Sequence, residues 1–427
     1  MIKFPRPTVE QFFRTYTITN FKVSDDEKKL LFSSNLNGEM NLWGMDLPDT
    51  FPYLFAHHDE SCSFISFDPE NRYVLAGFDR DGDENYHIYA LPTEGGLPQP
   101  LVTGDKADKF YFSHLSEDGK RIYYMTSEDN PSYLNTVVRD LEKGTDQIIY
   151  VGEESPTYLT AVSENEHAFV YLRMFANTYV TSFVQVGDEH YNLTPDSTKV
   201  HVVFSPVFVN ENTIYFTTDY ESDYRYLAKF EIDTGQFSKV YEIEGESINF
   251  LEWHKESKTL YIITEKGVID HLYRFSIATE KIEKLTCPID IVEQVQVTKS
   301  GHLYVLGRSA TIPQNIFQSI DGREWKQLTD NRVLGLTSDD MVEPEVITYA
   351  SFDDMEIEAL LFKAKPENDN GHMIFWPHGG PQAAERKQFR AMFQCLLNRG
   401  YSIFAPNFRG STGYGSTFVK LVERDWG

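Results

Sequence analysis

Two short runs near the end of the chain carry residue types that could do chemistry. The first is His378-Gly379-Gly380-Pro381, directly after the apolar stretch His372-Met-Ile-Phe-Trp-Pro377. Glycine has no Cβ, so paired glycines at a strand end let backbone N–H groups approach a bound group closely. Donors held that way can stabilise the negative oxygen of a tetrahedral intermediate, and losing one typically costs about 3–4 kcal/mol of barrier. A tight turn that merely ends the strand would use the same residues, but the position between an apolar strand and a helix favours chemistry. The second run is Asn407-Phe-Arg-Gly-Ser-Thr-Gly-Tyr-Gly415. Its glycines fit neither GxxxxGK[ST] nor GxGxxG, so a phosphate cradle is not expected. Ser411 is not expected to be a nucleophile either. A nucleophile elbow needs G-x-S-x-G between a strand and a helix, and Gly410 is adjacent to the serine rather than two residues before it. No G-x-S-x-G occurs anywhere in the 427 residues.

The elements that must position these runs can be read from the flanking pattern. Glu345-Val-Ile-Thr-Tyr-Ala and Ile357-Glu-Ala-Leu-Leu-Phe362 predict a β-hairpin around Asp353-Asp354. Residues Ala383 to Asn398 predict a helix with Phe389, Met392, Phe393, Leu396 and Leu397 on one face, capped by Gly400. Tyr401-Ser-Ile-Phe-Ala-Pro406 predicts a second buried strand. Strand, helix and strand with apolar strands imply a βαβ unit and a parallel sheet.

Upstream, a turn-forming polar cluster followed by a β-rich run recurs seven times, as in Ser24-Asp-Asp-Glu-Lys-Lys-Leu30 and Ser116-Glu-Asp-Gly-Lys-Arg-Ile122. The first strand residues fall at Leu30, Tyr73, Ile122, Phe169, Ile214, Leu260 and Leu303, spaced by 43 to 49 residues. That period is blade-sized for a propeller, in which each blade is a four-stranded antiparallel sheet. A large β-sandwich explains even spacing poorly. Asp79-Arg-Asp-Gly-Asp-Glu-Asn85 looks like a calcium loop, but Gly82 is fourth and Ala90 stands at position twelve, where the EF-hand needs Gly sixth and Glu twelfth. It reads as a hairpin turn with Gly82 at positive φ, and no metal is expected.

A propeller followed by HGGP and NFRGSTGYG resembles the prolyl oligopeptidase family, in its acylaminoacyl-peptidase and dipeptidyl-peptidase-like branch, across essentially the whole chain. The fold class expected is an all-β seven-bladed β-propeller followed by an incomplete α/β-hydrolase domain. The expected boundaries are 1–19 for an N-terminal segment packing on the hydrolase part, 20–330 for the propeller and 331–427 for the hydrolase portion. The resemblance implies a Ser-Asp-His hydrolase that cuts short peptides, with the propeller excluding large folded proteins. By motif match Gly379 and Gly380 lie on the oxyanion side, with the Gly380 N–H as the donor. His378 is then structural, and Pro381, Arg409 and Tyr414 belong to the loops beside the site. None of the triad residues falls within these residues. The chain is therefore expected to be a truncated or split gene product or a partial sequence, inactive alone, with an unpaired apolar edge at Met373-Ile-Phe-Trp376. A propeller used only as a protein-binding scaffold and an esterase of the same fold are the alternatives.

Composition limits partners. The formal net charge is −26, so a phosphate backbone is a poor partner and nucleic acid is not expected. Aromatics make up 14% of residues, which favours β structure and large cores. Cys62, Cys287 and Cys395 are far apart and odd in number, so a disulfide framework is not expected and a reducing compartment fits. The run Met1-Ile-Lys-Phe-Pro-Arg-Pro7 has no apolar core of a leader, and no run is long enough to span a bilayer. The expectations are a cytoplasmic protein with no membrane partner and no cofactor.

Overall fold

The computed structural model describes residues 5–56, 58 and 60–424, so the readings placed on Met1–Phe4 and on Asp425–Gly427 lie outside the described residues. Seven consecutive antiparallel sheets of four strands each occupy residues 18–54, 62–102, 110–151, 157–192, 203–241, 247–284 and 291–327. Each sheet runs in simple sequence order, strand to neighbouring strand. The seven repeat anchors all fall at or beside the start of a second strand, such as Lys29–Ser34 and Arg121–Thr126. The repeat is therefore the turn between first and second strands. Its polar residue closes that turn locally: Ser116 Oγ accepts the N–H of Arg121 at 2.9 Å, and Ser163 Oγ accepts that of Ala168 at 3.1 Å.

Every neighbouring pair of sheets shares its own apolar cluster. The last sheet also packs on the first, through Ile18, Phe21 and Phe32 against Tyr304, Leu306 and Ile316. The sheets thus form a closed ring, the architecture of a β-propeller. Each innermost strand is bulged where it pairs with the second strand, for example between Leu159 and Ala161. A bulge re-aims side chains and sharpens twist. Polar residues near these bulges tie blade to blade. Asn20 Nδ2 donates to the Cys62 carbonyl at 2.7 Å and Ser113 Oγ to the Leu159 carbonyl at 2.8 Å.

Closure of the ring uses side chains as backbone substitutes. Gln294 exchanges two hydrogen bonds with the backbone of Phe21, and Gln296 two with Val23, at 2.7–2.9 Å. Outside them, Glu27 accepts from His302 Nδ1 at 2.7 Å, Tyr304 OH at 2.9 Å and Thr298 Oγ1 at 2.9 Å. Burial works to raise this carboxyl, but the hydrogen bonds from Ser300, His302, Thr298 and Tyr304 outweigh it and hold it below the ordinary carboxylate range. A depressed folded value stabilises above the unfolded pKa of about 4.3 and is lost as pH falls through the folded value. Glu27→Gln is therefore expected to cost about 1–3 kcal/mol at pH 7. In urea denaturation the difference from the parent should shrink below about pH 4. An equal cost at both pH values would contradict this account.

The eighth sheet is mixed. Its strands Glu345–Ala350, Glu356–Phe362, Ser402–Pro406 and Met373–Phe375 lie in that spatial order. The first two form the predicted hairpin, and the last two are parallel, joined through helix Ala391–Asn398. The predicted helix from Ala383 is half that length. Its first residues hydrogen-bond elsewhere: Glu385 N–H to Asn407 Oδ1, and Lys387 N–H to the Val268 carbonyl. Tertiary bonds override a helical pattern that Phe389 and its neighbours would otherwise continue. One sheet face packs Leu360, Phe362, Ile403 and Ala405 on Phe393 and Leu397 of the helix and on Val268 and Ala310 of the ring. Strand Met373–Phe375 is one of the two edges, with Met373 and Phe375 59% and 63% exposed. The N-terminal segment lies against this part. Phe12 packs with Val333, Met341, Phe389 and Cys395, and Arg399 donates to the Pro7 carbonyl at 2.7 Å.

Candidate active site

Both glycine runs leave the carboxyl ends of the two adjacent parallel strands, where open α/β sheets bind ligands. The pairing holds to the end of the first strand, with Trp376 N–H donating to the Phe404 carbonyl at 2.8 Å. The chain then turns through His378 to Pro381, with a cis Gly380–Pro381 peptide.

His378 is buried and joins the two runs. Its ring stacks on Phe408 at 4.4 Å and 15°, and its Nε2 lies 2.8 Å from Ser411 Oγ. Ser411 is fully buried and donates to the Phe408 carbonyl at 2.6 Å. His378 Nδ1 lies 2.8 Å from the Gly379 carbonyl, which can only accept, so this nitrogen carries the ring proton and ties the ring to the HGGP turn. Gly379 and Gly380, by contrast, are exposed. Neither N–H meets an acceptor among the described residues. Gly380 has φ +134°, and a Cβ there would stand 3.0 Å from Ala383 Cβ and Gln382 N. A Cβ on Gly379 would meet open space.

Arg409 and Tyr414 point away from these glycines. Arg409 lies over Phe352 at 4.7 Å and bonds Ser351 and Asp353, pinning the second run to the hairpin turn of the same sheet. Tyr414 OH donates to Glu358 Oε1 and accepts from Asn407 Nδ2, both at 2.8 Å. Burial raises the Tyr414 hydroxyl and the Glu358 charge raises it further, so it stays a donor. Asn407 also holds Glu385 through two backbone bonds of 2.8 and 3.0 Å. Glu358, Glu385 and Asn407 had no individual sequence signal, because their partners lie 22 to 56 residues away.

The ring supports the loops directly. Arg386 Nη2 pairs with Asp270 Oδ1 at 2.6 Å, and Asp223 accepts the N–H groups of Ser416 and Thr417 at 2.8 and 2.7 Å. In the loop Asp79–Asn85, Gly82 has φ +72°, and the carboxylates of Asp79 and Asp83 accept backbone N–H groups. Among the described residues no group of three or more ligating side chains could hold a metal, and no helix is long and apolar enough to cross a membrane.

A closed ring of four-stranded sheets, carrying a mixed sheet with two glycine runs at its strand ends, defines a propeller-bearing protein. The chain is similar to members of the prolyl oligopeptidase family of serine peptidases. Residues 387–427 match the sequence model of the prolyl oligopeptidase family. The chain is 30% identical over 183 residues to an uncharacterized peptidase, YuxL, of Bacillus subtilis, covering 41% of this chain and 27% of that one. It is 25% identical to dipeptidyl peptidase family member 6 of Caenorhabditis elegans, covering 83% of this chain and 54% of the relative. Against dipeptidyl aminopeptidase BIII of Pseudoxanthomonas mexicana the identity is 21%, over 95% of this chain and 61% of the relative. The chain thus spans between about a quarter and three-fifths of these relatives. Its fold matches a puromycin-hydrolyzing peptidase of Mycobacterium tuberculosis with a TM-score of 0.82 at 12% identity, covering 99% of this chain and 71% of that one.

Proposed function

We propose that this chain supplies the propeller and the oxyanion side of a serine peptidase that cleaves short peptides. On this reading residues 20–330 are a seven-bladed propeller, 331–427 the first part of an α/β-hydrolase domain, and 1–19 a segment packed on that part. The supporting observation is the pair of N–H groups at the exposed Gly379 and Gly380, which meet no acceptor among the described residues, at the carboxyl end of a parallel strand. Attack by a serine Oγ on a peptide carbonyl puts charge on the carbonyl oxygen, and two aligned donors stabilise it. A buried His378 holds the turn, and Arg409 and Tyr414 hold the neighbouring loop. The attacking serine must come from a G-x-S-x-G segment, which these residues do not contain.

The test uses a fluorophosphonate probe and a fluorogenic dipeptide substrate, with a matched ester. The 427 residues alone should take no serine label and release no product. Joined to a hydrolase segment bearing G-x-S-x-G, they should cleave the peptide. In that active form Gly380→Ala should lower kcat about 100-fold with KM little changed. A serine adduct on the 427 residues alone, or unchanged kcat in the variant, would reject the proposal.

A further inference from the structure

A cavity of about 200 Å³ lies where the ring meets the 412–420 segment, apart from the HGGP turn. Its ring-side wall carries two opposite charges, each only partly satisfied. Asp219 is 7% exposed. One oxygen accepts the Val202 N–H at 2.7 Å, and the other has no donor among the described residues. Arg225 stands 5.7 Å from the Phe204 ring and donates through Nη2 to Asn249 Oδ1. Its other guanidinium N–H groups meet no hydrogen-bond acceptor among the described residues. Glu265 does not fill that role: it reaches Arg225 only through Asn249, whose Nδ2 donates to it at 3.2 Å, and its second oxygen lies 3.7 Å from Arg386. Desolvation raises the Asp219 carboxyl and lowers the Arg225 guanidinium, the directions expected of charges that lack a close partner.

We propose that this cavity binds a small zwitterion, an α-amino acid or a dipeptide, with its carboxylate on Arg225 and its ammonium on Asp219. The lining selects this charge pattern. A simple anion would face Asp219, Asp223 and Glu265, and a simple cation would face Arg225 and Lys420. A molecule bearing both charges completes the buried Asp219 and the half-buried Arg225 at once, and a buried charge left without a partner is costly. Backbone on the far wall comes close because it is glycine. A Cβ on Gly415 would lie 2.2 Å from the Asp223 carboxylate. Asp223 meanwhile accepts the N–H of Thr417, so the ligand would sit in a seam that both parts of the chain close.

The inference holds whether or not the chain takes part in peptide cleavage, and its test needs no turnover. Calorimetric titration of the 427-residue protein with L-alanyl-L-alanine should give saturable binding. The N-acetyl and the carboxamide forms of that dipeptide should each bind at least about tenfold more weakly. Asp219→Asn keeps the acceptor for Val202, so the fold is retained, and it should erase the preference for the free amine over the acetylated form. Arg225→Met should likewise erase the preference for the free carboxylate over the amide. No saturable heat up to about 10 mM, equal binding of all three ligands, or parent-like preferences in the Asp219→Asn protein would overturn the proposal.

Discussion

Asp270→Asn is expected to destabilise the protein by about 3 kcal/mol, although the ion pair it breaks contributes little by itself. Burial pushes the Asp270 carboxyl up, and Arg386 pulls it back only in part. The same burial works against the Arg386 cation, where the Asp270 and Glu265 carboxylates outweigh it. Desolvation and attraction therefore nearly cancel while both partners are present. Removing one leaves a guanidinium only 17% exposed beside Glu265 at 3.7 Å. Two comparisons separate these terms. The single variant should shift the urea midpoint strongly, and the double variant Asp270→Leu with Arg386→Met should recover much of the loss. A single-variant cost below about 1 kcal/mol would contradict the assignment. Because the pair spans 116 residues and joins the ring to the loop before the helix, the single variant should also admit protease to residues 383–390.

Phe393→Ala should cost about 3–5 kcal/mol, the range for deleting a fully buried aromatic ring. Phe393 is 1% exposed and sits edge-on to both Phe362 and Trp376, at 5.4 Å in each case. It is the contact through which the helix covers the parallel strands, so its loss opens a cavity beneath the HGGP turn. Trp376 fluorescence reports the transition in place. Phe393→Leu, which leaves a smaller void, should lose clearly less than the alanine variant. Near-equal costs for the two, or a cost under about 1.5 kcal/mol for alanine, would mean that the helix is held chiefly by other contacts.

The parts of this fold legible in the sequence are those made by near neighbours. The seven anchors can be seen because each turn closes within five residues, as Ser116 does with Arg121. The hairpin of 345–362 and the two apolar strands follow from two-residue alternation and from continuous apolar runs. The helix start did not follow, because Glu385 and Lys387 bond to Asn407 and Val268 instead of to their own turn. At the candidate site the glycines were named from their motif. The burial of His378 against Phe408 and the turning of Arg409 toward Asp353 depend on which strands become neighbours. The charged cavity had no signature at all. Asn177, Asp219, Arg225, Glu265 and Lys420 come from segments separated by dozens of residues, and single charged residues are by default surface positions.

The glutamine clasp between the first and last blades has a consequence for how the protein is made. Val23 and Gln296 are 273 residues apart, so the strand holding Val23 leaves the ribosome long before its partner exists. At roughly 5–20 residues per second that wait lasts about 14–55 s. Through all of it the Ile18, Phe21 and Phe32 flank of the first sheet has no partner, whereas the sheets between find neighbours as they emerge. Such long-range closure is slow because its loop entropy must be met before any contact rewards it. The nascent chain therefore carries one uncovered apolar flank until synthesis passes the last sheet of the ring.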